Sequence, residues 1–248
     1  MIAGRLPLVW APAWVVCDSP HKKQVEDGAR AGRLMSDAVF AAVRATSSEL
    51  LMVTPYFIPA SEESAALSEL RLRQVRIRLL TNSLEGSAGA FAHSGYRHFR
   101  VPLLQEGVEL YEARALLGNT KGSGQSARMS RYGNYALHAK LFVFDRQKLF
   151  VGSMNFDRRS KQLNTEIGLI IDSPELAQQT ATRFAAMVQP QNSYELSLRP
   201  DVAHQPSQLS WHSEVDGTAV DYSREPARSG WQRLKVRLLS HLPLASEQ

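Results

Sequence analysis

Residues 137–155 read LHAKLFVFDRQKLFVGSMN, and this stretch decides the fold. From Leu137 to Phe144 it is apolar and aromatic. Arg146-Gln147 supplies a polar turn, and Lys148 to Val151 runs back, which together predict a β-hairpin. Alternate strand residues share a face, so His138 and Lys140 point the same way. If the chain stays extended past Gly152, Ser153 and Asn155 also share a face. The return strand then gathers an imidazole, an ammonium, a hydroxyl and an amide. That set suits a phosphate ester with charge on its oxygens.

An imidazole with an ordinary pKa of about 6.5 can serve as nucleophile, general acid or base near neutral pH. Lys140 offers fixed positive charge, and Ser153 and Asn155 add donors without acid chemistry. Phosphoryl transfer asks mostly for positioning and charge stabilisation. No carboxylate cluster, Cys/His quartet or H-E-x-x-H helix is present in the sequence, so neither metal nor cofactor is expected.

The whole string is H-x-K, four residues, D, six residues, G-S-x-N. It resembles the signature of the phospholipase D superfamily. Met52–Pro59 (MVTPYFIP), Leu79–Leu84 (LLTNSL), the His93–Tyr111 region and Ile171-Asp172-Ser173-Pro174 resemble its bacterial cardiolipin synthase branch. The resemblance implies an α/β fold, a mixed β-sheet with helices on both faces, one half of the phospholipase D fold. It implies a histidine that attacks a phosphodiester to give a phosphohistidine, and a second that protonates the leaving alcohol and then activates the acceptor. His138 would be one of the pair, and general acid is the preferred role. Lys140 and Asn155 would hold phosphate oxygens, with Ser153 a further donor beside Gly152. Glu166 would hydrogen-bond and orient His138. Asp145 is read as holding the hairpin rather than touching substrate.

The sequence departs from that branch in one respect. Its members carry two such motifs, and this sequence has one; His21-Lys22-Lys23 continues to Gly28 where Asp is required. The opening LPLVWAPAWVVCDSPHKK resembles the connector between two halves. The chain therefore reads as the second half of a two-motif enzyme, from a truncated or split gene. Its partners would be a phospholipid substrate and either a second copy of the chain or a separate N-terminal half. Peripheral contact with the cytoplasmic face of an inner membrane fits this reading, and nucleic acid ranks behind lipid. The leading function is a cardiolipin synthase-like phosphatidyltransferase. The alternatives are a single-motif dimeric phosphodiesterase or nuclease, or an inactive half-enzyme that binds phospholipid or a partner.

Composition agrees with a folded α/β domain. The 248 residues are 44% hydrophobic, and 29 basic against 24 acidic residues give a net charge of +5. That excess favours anionic partners without choosing between lipid and nucleic acid. The single cysteine, Cys17, excludes an internal disulfide. No run of about 18 apolar residues is available to span a membrane. Pro7 interrupts the early apolar run, so a cleaved signal peptide is not expected.

Three regions follow: a Pro-punctuated lead-in over 1–26, a catalytic half-domain over 27–200, and an appendage over 201–248. A helix is expected from Gly28 to Thr46, burying Leu34, Ala38, Ala41 and Ala45. Leu50–Val53 reads as a buried strand ending in a loop with Tyr56 and Phe57, either site-lining or core. Ser61 is read as a helix cap. Asn82 and Ser83 are candidates to face the site, whereas His93 is read as structural. The Gly-rich stretch 114–135, with Lys121, Arg128 and Arg131, is a candidate lid. Thr165–Ile171 is expected to be a strand apolar on both faces. Ser173-Pro174-Glu175 opens a helix. The final helix, Ser229–Leu242, is amphipathic and basic, and is expected to pack Trp231, Leu234 and Leu238 on its own domain.

Overall fold

A ten-stranded sheet carries the site, as a computed structural model of the chain shows. The structure describes residues 8–20, 22, 35–87, 89–115, 136–199 and 208–240. The strands are β1 (Ala13–Cys17), β2 (Glu49–Val53), β4 (Arg76–Asn82), β5 (Glu109–Ala113), β6 (Leu141–Phe144), β7 (Lys148–Gly152), β9 (Ile167–Asp172), β10 (Ser193–Leu198), β11 (Leu209–Val215) and β12 (Thr218–Tyr222). Their order is β1-β9-β7-β6-β2-β4-β5-β10-β11-β12. β2, β4 and β5 run parallel. The other pairs are antiparallel. Two short strands, β3 (Phe57–Ile58) and β8 (Phe156–Asp157), pair separately.

Helices cover both faces, which is why β6 and the body of β2 are apolar. On one face α1 (Met35–Ala45) and α2 (Ser61–Leu72) pack Val39, Val43, Leu67 and Leu70 with Leu50, Met52 and Phe142. On the other, α6 (Pro174–Met187) packs Ala177, Ala181 and Phe184 with Leu51, Val53 and Val143. α1 buries Met35, Val39, Phe40 and Val43 rather than the alanine stripe read from the sequence. The larger side chains remove more apolar area from water and fix the helix rotation. The residues before Met35 in that expected helix lie outside the described set.

The hairpin is where the sequence placed it, but its first strand begins at Leu141 rather than Leu137, with His138 and Lys140 in the extended segment before it, and its turn lies one residue earlier. Gln147 N donates to Phe144 O, so Asp145 and Arg146 are the central residues, at φ of 52° and 55°. Neither is glycine, and tertiary bonds stabilise the left-handed backbone. The Asp145 carboxylate accepts from the amides of Ser47, Ser48 and Glu49 at 2.9, 2.7 and 3.0 Å, and from both serine hydroxyls. Arg146 pairs with Glu49 at 2.6 Å. Asp145 thus ties the hairpin to the start of β2, as its structural reading requires.

Several boundaries differ from expectation. Residues 13–17 form strand β1, paired with β9, not an irregular lead-in. Ala60, not Ser61, caps α2, without a side-chain bond. The helical stretch after Gly89 breaks at 97–99, between α3 (Ala90–Tyr96) and α4 (Arg100–Gln105), and not at Pro102, which falls in the first turn of α4, where a missing amide costs nothing. β9 is not buried on both faces, because Ile167 is 59% and Leu169 37% exposed. The tail joins the main sheet through β10 and β5. Two more helices among the described residues are α5 (Arg158–Gln162) and α7 (Gly230–Leu239). The candidate lid at 116–135 lies outside the described residues.

Candidate active site

Asn82, at the end of β4, places the residue before His138. Its Oδ1 accepts from Leu137 N at 2.8 Å and its Nδ2 donates to Leu137 O at 3.0 Å. This two-way clamp fixes the extended segment that enters β6. His138 projects from it into solvent while Leu137 is buried. Ser83 plays no such part, since its hydroxyl accepts from Gly86 N in a local turn.

Lys140 is 8% exposed and its ammonium lies 3.2 Å from His138 Nε2 and 3.4 Å from Nδ1, while donating to His138 O at 3.0 Å. Near-equal distances to both ring nitrogens mean that the lysine alone does not select a tautomer. Burial pulls the Lys140 ammonium below its ordinary pKa, and the charges of Glu166 and Asp157 offset part of that pull.

His138, Lys140, Ser153, Asn155, Asn164 and Glu166 line one open cleft of about 570 Å³. All four groups read from the hairpin therefore converge. Asn155 N donates to Ser160 Oγ at 3.2 Å, and its buried Oδ1 has no hydrogen-bond partner among the described residues. Among the described residues, His138 is the only histidine on this cleft. His93 sits elsewhere, bonded to Glu225 at 2.6 Å, and its structural reading stands.

Glu166 does not bond His138. Its carboxylate accepts from the Ser153 hydroxyl and from Asn164 Nδ2 at 3.2 Å. The β7–β9 register explains this: Ser153 follows Gly152, opposite Gly168, and its N donates to Ile167 O at 2.9 Å. Glu166 is thereby within reach of the serine. Glycine is required at that crossing. A Cβ on Gly152 would meet Ile167 O and Phe150 Cζ, both at 2.7 Å.

Two supporting residues were not singled out from the sequence. Asp18 accepts from Glu166 N at 3.0 Å and from Met35 N at 2.9 Å. Lys22, paired with Asp18 at 2.5 Å, donates to Ser160 O and Asn164 O. Together they fasten the backbone behind Asn155 and Glu166. The D-x-x-x-K spacing was the visible signal, but only the fold shows what it reaches. Beside the cleft runs a groove of about 400 Å³ that shares Asn155 and Asn164 with it, walled by Tyr56, Ile58, Phe91 and Arg159. Tyr56 is thus a lining residue, whereas Phe57 is core, stacked on Phe156 at 4.9 Å.

Residues 39–188 match the family model described as cardiolipin synthase, PLD-like domain. Cardiolipin synthase C of Escherichia coli is 34% identical over 244 residues, covering 98% of this chain and 50% of that protein. Cardiolipin synthase A of Serratia proteamaculans is 28% identical over 170 residues, 67% of this chain and 31% of the relative. The chain thus spans half or less of the length of these relatives. Among solved structures, phosphatidylserine synthase of Haemophilus influenzae superposes with a TM-score of 0.55 at 14% identity, over 74% of this chain and 40% of that one. Nuc of Salmonella typhimurium, a phospholipase D family member, gives 0.50 at 16% identity, over 71% of this chain and 93% of that one. The fold is therefore that of the phospholipase D family, and the chain belongs to the cardiolipin synthase, phospholipase D-like domain family.

Proposed function

We propose that the chain is one catalytic half of a phosphatidyltransferase of the cardiolipin synthase type, acting on phosphodiesters through a phosphohistidine. The observation that carries this is the 3.2 Å approach of the Lys140 ammonium to the His138 ring within a cleft that also holds Asn155 and Ser153. Lys140 and Asn155 hold the non-bridging oxygens, and charge on them is stabilised where it develops. A histidine of a second half attacks phosphorus, forming a P–N bond as the P–O bond to the leaving alcohol breaks. His138 gives its proton to that alkoxide. It then takes the proton of an acceptor alcohol, whose oxygen displaces the histidine nitrogen from phosphorus.

Two features support the pairing of halves and the lipid substrate. Val15, Val151, Ile167 and Leu169 leave an exposed apolar strip on β1, β7 and β9, next to Ser153. An apolar surface bordering a half-built site suits a second half, whether another copy or a separate chain. The groove joined to the cleft through Asn155 and Asn164 has Tyr56, Ile58 and Phe91 on its walls, which suits hydrocarbon better than a sugar–phosphate backbone. In this reading the enzyme works peripherally at the cytoplasmic face of an inner membrane.

The test is incubation of the purified chain, alone and mixed with a separately made first half, with phosphatidylglycerol, followed by mass spectrometry. A new diphosphatidyl product that vanishes with His138→Ala supports the reading. Identical lipid profiles for both proteins in both settings refute it. Metal-independent DNA cleavage abolished by the same substitution would favour the dimeric nuclease instead.

A further inference from the structure

The last helix leaves its apolar face outside the protein. α7 is capped by Ser229, which accepts from Gln232 N at 3.1 Å, and it packs on α3 with Val236 fully buried. The expected burial of Trp231, Leu234 and Leu238 does not occur: they are 69%, 45% and 58% exposed. Spacings of three and four put these three on one stripe, turned away from Val236. Lys235, four residues after Trp231 and three before Leu238, shares that stripe. Arg237 flanks it, three residues after Leu234, and both cations are exposed. The helix sequence GWQRLKVRLL contains no acidic residue. Its third cation, Arg233, turns inward to Glu225 O at 2.7 Å.

An exposed Trp–Leu–Leu stripe carrying cations fits a plane that is apolar below and anionic above. Tryptophan and the lysine stem favour the headgroup boundary, where a ring or methylenes can sink while the polar end stays wet. Each cation near an anionic leaflet strengthens binding by about fivefold. From this geometry we infer that α7 docks the chain on an anionic phospholipid surface through Trp231, Leu234 and Leu238, with Lys235 and Arg237 facing the headgroup charge. The choice of a lipid surface rests on the phospholipid reading above. Its consequence is topographic: α7 is seated on α3, and α3 carries Phe91, a wall of the groove beside the cleft.

Co-sedimentation of the full chain with vesicles tests this. Vesicles of phosphatidylglycerol and phosphatidylcholine in a three-to-seven ratio are compared with pure phosphatidylcholine. The wild type is expected to bind the anionic vesicles at least tenfold tighter. Leu234→Ser with Leu238→Ser, and separately Lys235→Ser with Arg237→Ser, should each weaken that binding at least tenfold. All four side chains are exposed, so thermal unfolding should stay unchanged. No binding by the wild type, equal binding to both vesicles, or unweakened binding by either pair of substitutions overturns the proposal. So does a wild-type dimer that the leucine substitutions convert to monomer with vesicle binding intact, which would make the stripe a protein interface. His138→Ala should bind vesicles like the wild type. Failed lipid chemistry with intact α7-dependent docking would therefore count against the catalytic reading alone.

Discussion

The Ser153 hydroxyl donates to the Glu166 carboxylate between the end of β7 and the start of β9, and accepts in return from Ile167 N at 3.1 Å. The Glu166 carboxylate thus meets Ser153 and Asn164 rather than the imidazole. Its charge raises the Lys140 pKa, against the larger lowering by burial. Affinity for a phosphodiester should fall as pH rises through the lowered Lys140 pKa, because the bound anion needs the ammonium. Glu166→Gln removes one raising charge and should move that limb to lower pH. Ser153→Ala keeps the charge and should leave the limb in place. Calorimetric titration with a non-hydrolysable diester between pH 7 and 11 reads both outcomes.

Asp145 holds its turn by hydrogen bonds, so its loss should show in stability and not in the cleft. Burial pushes the Asp145 carboxyl up, but bonds from Ser48 and from the amides of residues 47–49 outweigh it and hold the pKa at about 2. A depressed carboxyl stabilises the fold above its unfolded pKa of about 3.9 and loses that contribution as pH falls toward 2. After discounting for solvent screening this is worth about 1 kcal/mol. Asp145→Ala should cost about 2–3 kcal/mol in urea unfolding, from lost bonds and a strained left-handed alanine. Diester affinity measured under folded conditions should be unchanged.

Two carboxylates share the buried Arg100, and they should respond oppositely to neutralisation. Arg100 lies 2.8 Å from Glu112 and 2.5 Å from Glu225, and is 1% exposed. Burial raises Glu112 to about 7, more than Arg100 lowers it. Burial also raises Glu225, but Arg100 and His93 outweigh that and hold it well below the usual carboxylate range. Burial keeps His93 neutral, with a pKa of about 4. Glu225→Gln should cost about 3–5 kcal/mol at pH 7, because a buried guanidinium loses its ionised partner. Glu112→Gln should cost under about 1 kcal/mol at pH 5. Folded Glu112 keeps a proton that the unfolded chain loses above about 4.3, so this group lowers wild-type stability as pH rises toward 7. Glutamine lacks that slope, and Glu112→Gln should gain on the wild type by pH 8.

Gly152→Ala should damage the site from beneath. The added methyl meets backbone on β9 and the Phe150 ring, and neither is the far end of a flexible side chain. A cost of about 1–3 kcal/mol is expected. Gly89→Ala is the contrast, since its methyl would meet Tyr56 at an ordinary 3.7 Å. Chemical denaturation of the two variants should separate them.

What could be read from the sequence was local. Alternation in LHAKLFVFDRQKLFVGSMN gave the hairpin, its shared faces and the convergence of His138, Lys140, Ser153 and Asn155. The turn shifted because left-handed Asp145 and Arg146 are held by residues almost 100 positions earlier, which no local pattern reveals. Glu166 found Ser153 because strand register decides which side chains meet, and register is a tertiary property. Asp18 and Lys22 hold the backbone beside Glu166 and Asn164 from the segment just after β1, which the sequence showed only as a Pro-punctuated approach. The periodicity of α7 was visible, but periodicity cannot say whether an apolar stripe faces protein or solvent.

Arg100 also sets an order of events during synthesis. Its second carboxylate, Glu225, emerges from the ribosome 125 residues later, together with β11, β12 and α7. Until then a guanidinium destined for the interior has Glu112 alone, a group whose burial favours its own protonation. The nascent chain should therefore stay loose around α3, α4 and β5 long after the hairpin of residues 137–155 has been translated. A polypeptide released before Glu225 would expose this region to proteases although every residue of the cleft had already been made.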